Sequence, residues 1–199
     1  MQTTLRIPTV GLVQSAISEF DDQNDVIEAA LTEHFHQYPT NTNLPHVLLK
    51  VVVLNRLYST QILAVLDVAR NIQSHGEEID IGLAAGSAEV VEKIGLVTIQ
   101  STGKERYNYS FATKYCSWHR PDSYPMWDSR VDHYLWALQQ QEHFAPSFGA
   151  HKDIWIYEGF RDVVAALRTH YGLSEFTYKD LDKFLWSEAG ISSSEDAVT

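Results

Sequence analysis

Two stretches of this chain carry residue types and spacings that could do chemistry. The first is Tyr124-Pro-Met-Trp-Asp-Ser-Arg-Val131, an aromatic, proline-containing loop that ends on one carboxylate, Asp128, where a helical pattern begins. Aspartate opening a helix is a preferred N-cap, worth about 1 kcal/mol. Beside a reacting centre, the same fixed charge can stabilise a developing cation and orient or deprotonate water. The two roles are compatible. The second stretch is Arg106-Tyr-Asn-Tyr-Ser-Phe-Ala-Thr-Lys114, which brings the Ser110 hydroxyl together with the cations of Arg106 and Lys114, with Lys104 just before it. Tyr58, Trp118, His119, Tyr124 and Trp127 gather around these stretches in the sequence map. Aromatic side chains so placed either line a pocket that stacks a ligand or belong to the core. His119, at a helix end before Arg120-Pro121, caps carbonyls or meets a ligand. Lys114 and Arg130 reach phosphates or stay as solvated surface charges.

Metal and redox chemistry find little support. His34 and His36 fall on different sides of a helix, and no third ligand has recognisable spacing. The single cysteine, Cys116, excludes an internal disulfide, a four-cysteine zinc site and a self-contained iron–sulfur cluster. No cofactor is expected.

The elements that must position these groups read as helices. Apolar residues at 26, 27, 30, 31 and 35 predict an amphipathic helix over Asp25 to His36, with acids at its start. Leu44 to Ser74 is strongly apolar and mostly helical, interrupted by the polar turn Asn55-Arg-Leu-Tyr-Ser-Thr-Gln61. A helix from about Ile81 to Ile94 ends at Gly95. Leu96 to Ile99 reads as a short apolar link, Ser101-Thr-Gly-Lys-Glu as a turn, and Arg106 to His119 as helix again. Pro121 and Pro125 hold an irregular loop. Asp128 to Phe144, Lys152 to Tyr171 and Thr177 to Ala189 are three further helices. With no alternating strand pattern and no repeat of solenoid length, the expected class is all-α. Residues 1–190 are expected to form a single helical domain, its terminal helices packing together, with 191–199 as a disordered tail.

The formal net charge of −11 argues at first against a nucleic-acid partner. Its distribution softens that objection, because residues 46–133 are nearly balanced at −1 and the ends carry the rest. The acidic ends are either the solvated back of a molecule whose middle faces an anion, or a plain acidic surface. No apolar run approaches the roughly 20 residues that span a bilayer, and the first residues lack a secretory pattern. A cytoplasmic protein without a membrane partner is the expectation.

The order and residues of positions 45–136 resemble the helix-hairpin-helix (HhH-GPD) base-excision DNA glycosylases. In that family the second hairpin helix carries a run close to G-x-G-[RK]-[KS]-[TS]-A, and the catalytic aspartate follows in a V-D-[TGS]-x-V setting. Here Arg106-Tyr-Asn-Tyr-Ser-Phe-Ala112 lies over the first run and Trp127-Asp-Ser-Arg-Val131 over the second, with the family's usual interval of 18 between Ser110 and Asp128. Leu57-Tyr-Ser-Thr-Gln-Ile62 is similar to the family's L-L-S-x-Q-T turn, whose residues approach the extrahelical base or fill its gap. The same turn can also simply bond its own backbone through Ser59 and Thr60.

The resemblance implies a compact helical fold with a catalytic cleft between helical subdomains, acting as a monomer on double-stranded DNA with an extrahelical base. It implies a monofunctional enzyme, because serine at 110 stands where strand-cleaving members have a nucleophilic lysine. Lys104 and Lys114 leave a displaced lysine nucleophile open. Asp128 would stabilise the oxocarbenium-like sugar and activate water, the aromatic set would hold the flipped base, and Asn55, Ser59, Thr60, Gln61, Lys104, Arg106, Asn108, Lys114 and Arg130 would contact DNA. The base would be damaged, mispaired or modified, the last suiting defence against modified phage DNA. Arg106 and Asn108 depart from the family, replacing glycines whose backbone N–H groups approach a phosphate. That departure keeps a second reading open, a non-catalytic helical module that binds a protein.

Overall fold

The structure, a computed structural model, describes residues 5–196, with side chains through 190. It is mostly helical, and the chain divides into two compact units, Val26–Met126 and the pair of segments Met1–Asp25 and Trp127–Thr199. The first division falls within one long helix.

That helix, α1 (Val10–Gln37), starts fifteen residues before the expected one at Asp25. Its early part carries apolar residues at helical spacing, Val13, Ala16 and Phe20, of which Val13 and Ala16 are buried. In the Val26–Met126 unit, α2 (Leu44–Leu57) opens on Asn43, whose side-chain oxygen accepts from the His46 N–H at 3.2 Å. Its inward stripe is Val47, Lys50, Val51 and Leu54. α3 (Val65–Ser74) packs against α2 through Val68, Ala69 and Ile72.

The single helix expected over Ile81 to Ile94 is two, α4 (Gly76–Ala85) and α5 (Glu89–Gly95). Gly86 breaks it by adopting φ 67°, a left-handed conformation that glycine enters without a Cβ penalty, while the Ser87 N–H returns to the Gly82 carbonyl at 3.0 Å.

A second correction concerns the segment between α5 and α6 (Tyr109–His119). Leu96 to Ile99 is not a link and Arg106 is not helical. They belong to an antiparallel ribbon, β1 (Leu96–Ile99) and β2 (Lys104–Tyr107), in which Leu96 pairs with Tyr107 and Ile99 with Lys104. β-Branched Val97, Thr98 and Ile99 favour the extended state. Gly103, at φ 66°, closes the tip by donating to the Ile99 carbonyl at 2.8 Å. In α6, residues 111–118 are all buried.

The other unit holds the start of α1, α7 (Ser129–Glu142), a short 3-10 turn (His151–Trp155), α8 (Tyr157–His170) and α9 (Tyr178–Asp196). α7 packs on α9, and Leu135, Leu138, Phe160, Leu167, Leu181 and Phe184 are fully buried. Gln139 locks the chain after α7, its amide donating to the Ala145 and Phe148 carbonyls and accepting from the Ala145 N–H. Arg6 pairs with Glu188. Of the expected tail, the backbone of 191–196 continues α9, and 197–199 lie outside the described residues. No described helix is long and apolar enough to cross a membrane.

Candidate functional site

The chemistry-bearing residues of the Val26–Met126 unit gather on one flank of α6 and on the turn that ends α2. Helix α2 stops at Tyr58, and the chain reaches Ile62 through two non-glycine residues in the left-handed region, Ser59 at φ 50° and Gln61 at φ 58°. Each such residue costs on the order of 1–3 kcal/mol and persists only where its surroundings impose it. Here Asn55 imposes it. Its side-chain oxygen accepts from the Ile62 N–H and the Thr60 hydroxyl, both at 2.9 Å, and its amide donates to the Ile62 carbonyl at 2.9 Å. Asn55 therefore builds the turn from within, while Ser59 and Gln61 face solvent. Leu63, just beyond, is 93% exposed.

The turn sets Tyr58 against α6. The Trp118 indole N–H donates to the Tyr58 hydroxyl at 3.0 Å. The Lys114 ammonium, on a residue only 3% exposed, lies 5.6 Å from the Tyr58 ring centroid and donates to the Ser110 hydroxyl at 2.8 Å. Ser110 and Lys114 are one helical turn apart on α6, the spacing that makes them neighbours. The structure thus joins four of the expected residues, Tyr58, Ser110, Lys114 and Trp118.

A polar cluster that sequence reasoning missed lies on the inner face of α2. The Lys50 ammonium is fully buried and has three acceptors: the Thr40 carbonyl at 3.1 Å, the Asn41 side-chain oxygen at 3.4 Å and His119 Nε2 at 3.2 Å. The Tyr115 hydroxyl donates to the same Asn41 oxygen at 2.6 Å. Asp80 sets the Asn41 amide by accepting from its Nδ2 at 2.7 Å and its backbone N–H at 3.2 Å. The rings of Phe35 and Tyr115 flank both Lys50 and His119. Burial pushes the Lys50 ammonium down to about 8, with Asp80 opposing. Burial, then Lys50 and Arg120, hold His119 well below the usual imidazole range, so its ring is neutral at pH 7. The available signal was Lys50 itself, a lysine inside an apolar run at the same helical register as Val47, Val51 and Leu54.

The remaining expected residues are placed as follows. Tyr124 is fully buried, and its hydroxyl faces the Gly82 and Ser87 carbonyls at 3.2 and 2.9 Å, across the break between α4 and α5. Asn108 has φ −91° and binds the Gly95 carbonyl with its backbone and side-chain N–H groups, tying the start of α6 to the end of α5. Lys104 and Arg106 are exposed on β2. In the other unit, Asp128 is the N-cap of α7, accepting from the Arg130 N–H at 3.0 Å, and its carboxylate and the Trp127 ring are partly exposed. The same helix carries a buried carboxylate, Asp132, that meets His151 Nε2 at 2.8 Å, the His151 ring lying parallel to that of Trp136. Among the described residues, no group of three or more His, Cys, Asp or Glu could hold a metal ion.

A family model, the HI_0787_N N-terminal domain, matches residues 12–123. A Haemophilus influenzae protein, named only "Uncharacterized protein", is 35% identical over 183 residues, covering 85% of this chain and 86% of that protein. No solved structure matches. The matched residues include the Asn55 turn, the Ser110–Lys114 pair and the Lys50 cluster, and end before Asp128. The chain belongs to the HI_0787_N family.

Proposed function

We propose that this member of the HI_0787_N family is a monofunctional DNA glycosylase of HhH-GPD-like fold, which hydrolyses the N-glycosidic bond of a damaged, mispaired or modified base flipped out of duplex DNA. The observation that carries the reading is the Ser110–Lys114 pair beneath Tyr58 and Trp118, beside a turn held in left-handed conformations at two non-glycine residues. Strain of that kind concentrates at working sites. A polar turn followed by an exposed Leu63 has the chemistry to enter an opened base step, since apolar wedges unstack neighbouring bases. On the ribbon, the exposed Lys104 and Arg106 supply cations for phosphates.

In this reading the sugar passes through an oxocarbenium-like state, and the Asp128 carboxylate stabilises the positive charge and takes a proton from the attacking water. Lys114, engaged as a hydrogen-bond donor to Ser110, acts as a cation rather than as a nucleophile. The ribbon that stands where the helix-hairpin-helix glycosylases have a glycine-containing hairpin favours the second reading, a non-catalytic module, and DNA binding separates the two. The test is incubation with duplexes carrying a panel of damaged and hypermodified bases, with borohydride added to trap an imine. Abasic sites in an uncut strand without an adduct are expected. An adduct on Lys114 would overturn the monofunctional assignment, and no binding to any duplex would favour the module.

A further inference from the structure

The Lys50 cluster has a property beyond holding the fold together. As an ammonium, Lys50 has three hydrogens and no lone pair, and three acceptors surround it: Thr40 O, Asn41 Oδ1 and His119 Nε2. His119 Nε2 must then accept, which puts the ring's single hydrogen on Nδ1. That nitrogen has no hydrogen-bond partner among the described residues, and His119 as a whole is partly exposed. If Lys50 loses a proton, two hydrogens remain for Thr40 O and Asn41 Oδ1, and the new lone pair can accept from a protonated Nε2. The three contacts of Lys50 are kept in both states, which differ in the charge of Lys50 and in which nitrogen of His119 carries its hydrogen.

We propose that Lys50 and His119 form a proton relay that makes His119 Nδ1 a general acid toward a bound ligand. In the step, the Nδ1–H bond breaks and its proton passes to an acceptor atom of the ligand. A Lys50 N–H bond breaks as a new Nε2–H bond forms, and the electron pair left behind stays on Lys50 as a neutral amine. One positive charge moves from protein to ligand, and the reverse transfer from solvent restores the ammonium. Such a donor suits a departing heterocycle with an unprotonated nitrogen or oxygen, and this choice of ligand rests on the glycosylase reading. The surroundings fit the task. Asp80 on α4 favours the ammonium, whereas burial favours the amine, and the two compete to keep the proton transferable. Arg120, after α6, helps hold His119 neutral, as does Lys50 itself. His34 on α1 is depressed by burial, Lys50 and His46 on α2, and Tyr115 and Cys116 are raised by burial, so these neighbours stay neutral at pH 7.

Long-range 1H–15N correlation on the labelled full chain reads the His119 tautomer directly, without substrate or variant. The Nδ1–H form is expected at pH 6.5, changing to the Nε2–H form as Lys50 titrates near pH 8. The Nε2–H form at pH 6.5, or one unchanged tautomer up to pH 10, would overturn the relay. On a duplex that the protein processes, Lys50→Met is expected to lower kcat about 100-fold at pH 7 with KM unchanged and to remove the fall in rate above pH 8. His119→Ala should be rescued in part by added imidazole. A wild-type rate profile in Lys50→Met, or no imidazole rescue, would also overturn it. If the wild-type protein released no base from any duplex, the glycosylase reading would fail while the tautomer measurement still decided the relay.

Discussion

Replacing Lys50 by methionine removes a buried amine whose ionisation differs between folded and unfolded chain, and the size of the effect follows from that difference. Burial lowers its value from the ordinary 10.5 to about 8. Between those two values the unfolded chain binds more protons than the folded one, so stability must rise with pH. Below about 8 both states hold the proton, the pH dependence vanishes and the cost of burying the ammonium is at its full value. Integrating the linkage relation for this one group gives a rise of about 1.3 kcal/mol from pH 7 to pH 9. The Cys116 thiol works the other way, because burial raises it in the folded state while the unfolded chain ionises near 9.0. It removes about 0.4 kcal/mol at pH 9.

Subtracting the Lys50→Met curve from the wild-type curve cancels Cys116 and leaves the lysine. The hydrogen bonds lost in the variant displace the whole curve without changing this slope. The assay is urea unfolding at pH 7, 8 and 9, followed by circular dichroism and by the fluorescence of the chain's five tryptophans. A difference that grows by about 1.3 kcal/mol from pH 7 to 9 is expected. A difference that stays flat would show that Lys50 is not held in a depressed state.

Other perturbations probe the neighbouring features. Asn55→Ala removes three hydrogen bonds from the Tyr58–Ile62 turn and should cost about 2–3 kcal/mol, read by urea unfolding together with loss of amide-exchange protection at Ile62. Asn55→Asp keeps both acceptor roles and should cost about 1 kcal/mol; equal losses in the two variants would contradict the turn's construction. Gly76→Ala puts a Cβ 2.5 Å from the Asn41 carbonyl oxygen, so the backbone that carries Asn41 must move. A loss of about 1–3 kcal/mol is expected, with changed nuclear magnetic resonance shifts at Tyr115 and His119. Asp128→Asn keeps the α7 cap, since asparagine caps as well as aspartate, so stability should stay within about 0.5 kcal/mol.

The sequence made α2, the turn after it, α3 and the helices after Asp128 legible because each carries a full apolar stripe or a terminal signal. Asp128 is a cap in the structure for the reason its position suggested, a short acceptor side chain beside the first free N–H groups. The ribbon was hidden because each strand has four residues and only Val97 is buried among them, too little alternation to outweigh a helical-looking context. The split of α4 from α5 rested on one glycine whose left-handed φ no periodicity reports. The Lys50 cluster was hidden for a different reason. Asn41, Lys50, Asp80, Tyr115 and His119 come from four separate stretches of chain, and only the fold brings an ammonium, an amide and an imidazole within hydrogen-bonding distance.

The proposed glycosylase reading turns on the charge of Asp128. The most direct measurement compares wild-type protein and Asp128→Asn on duplexes with modified bases, quantifying free base by mass spectrometry. Under this reading, free base and alkali-labile sites are expected from at least one duplex with the wild-type protein, and a loss of at least about 100-fold with an equally stable Asp128→Asn. Equal base release by the two proteins, or none by the wild type from any duplex, would contradict it.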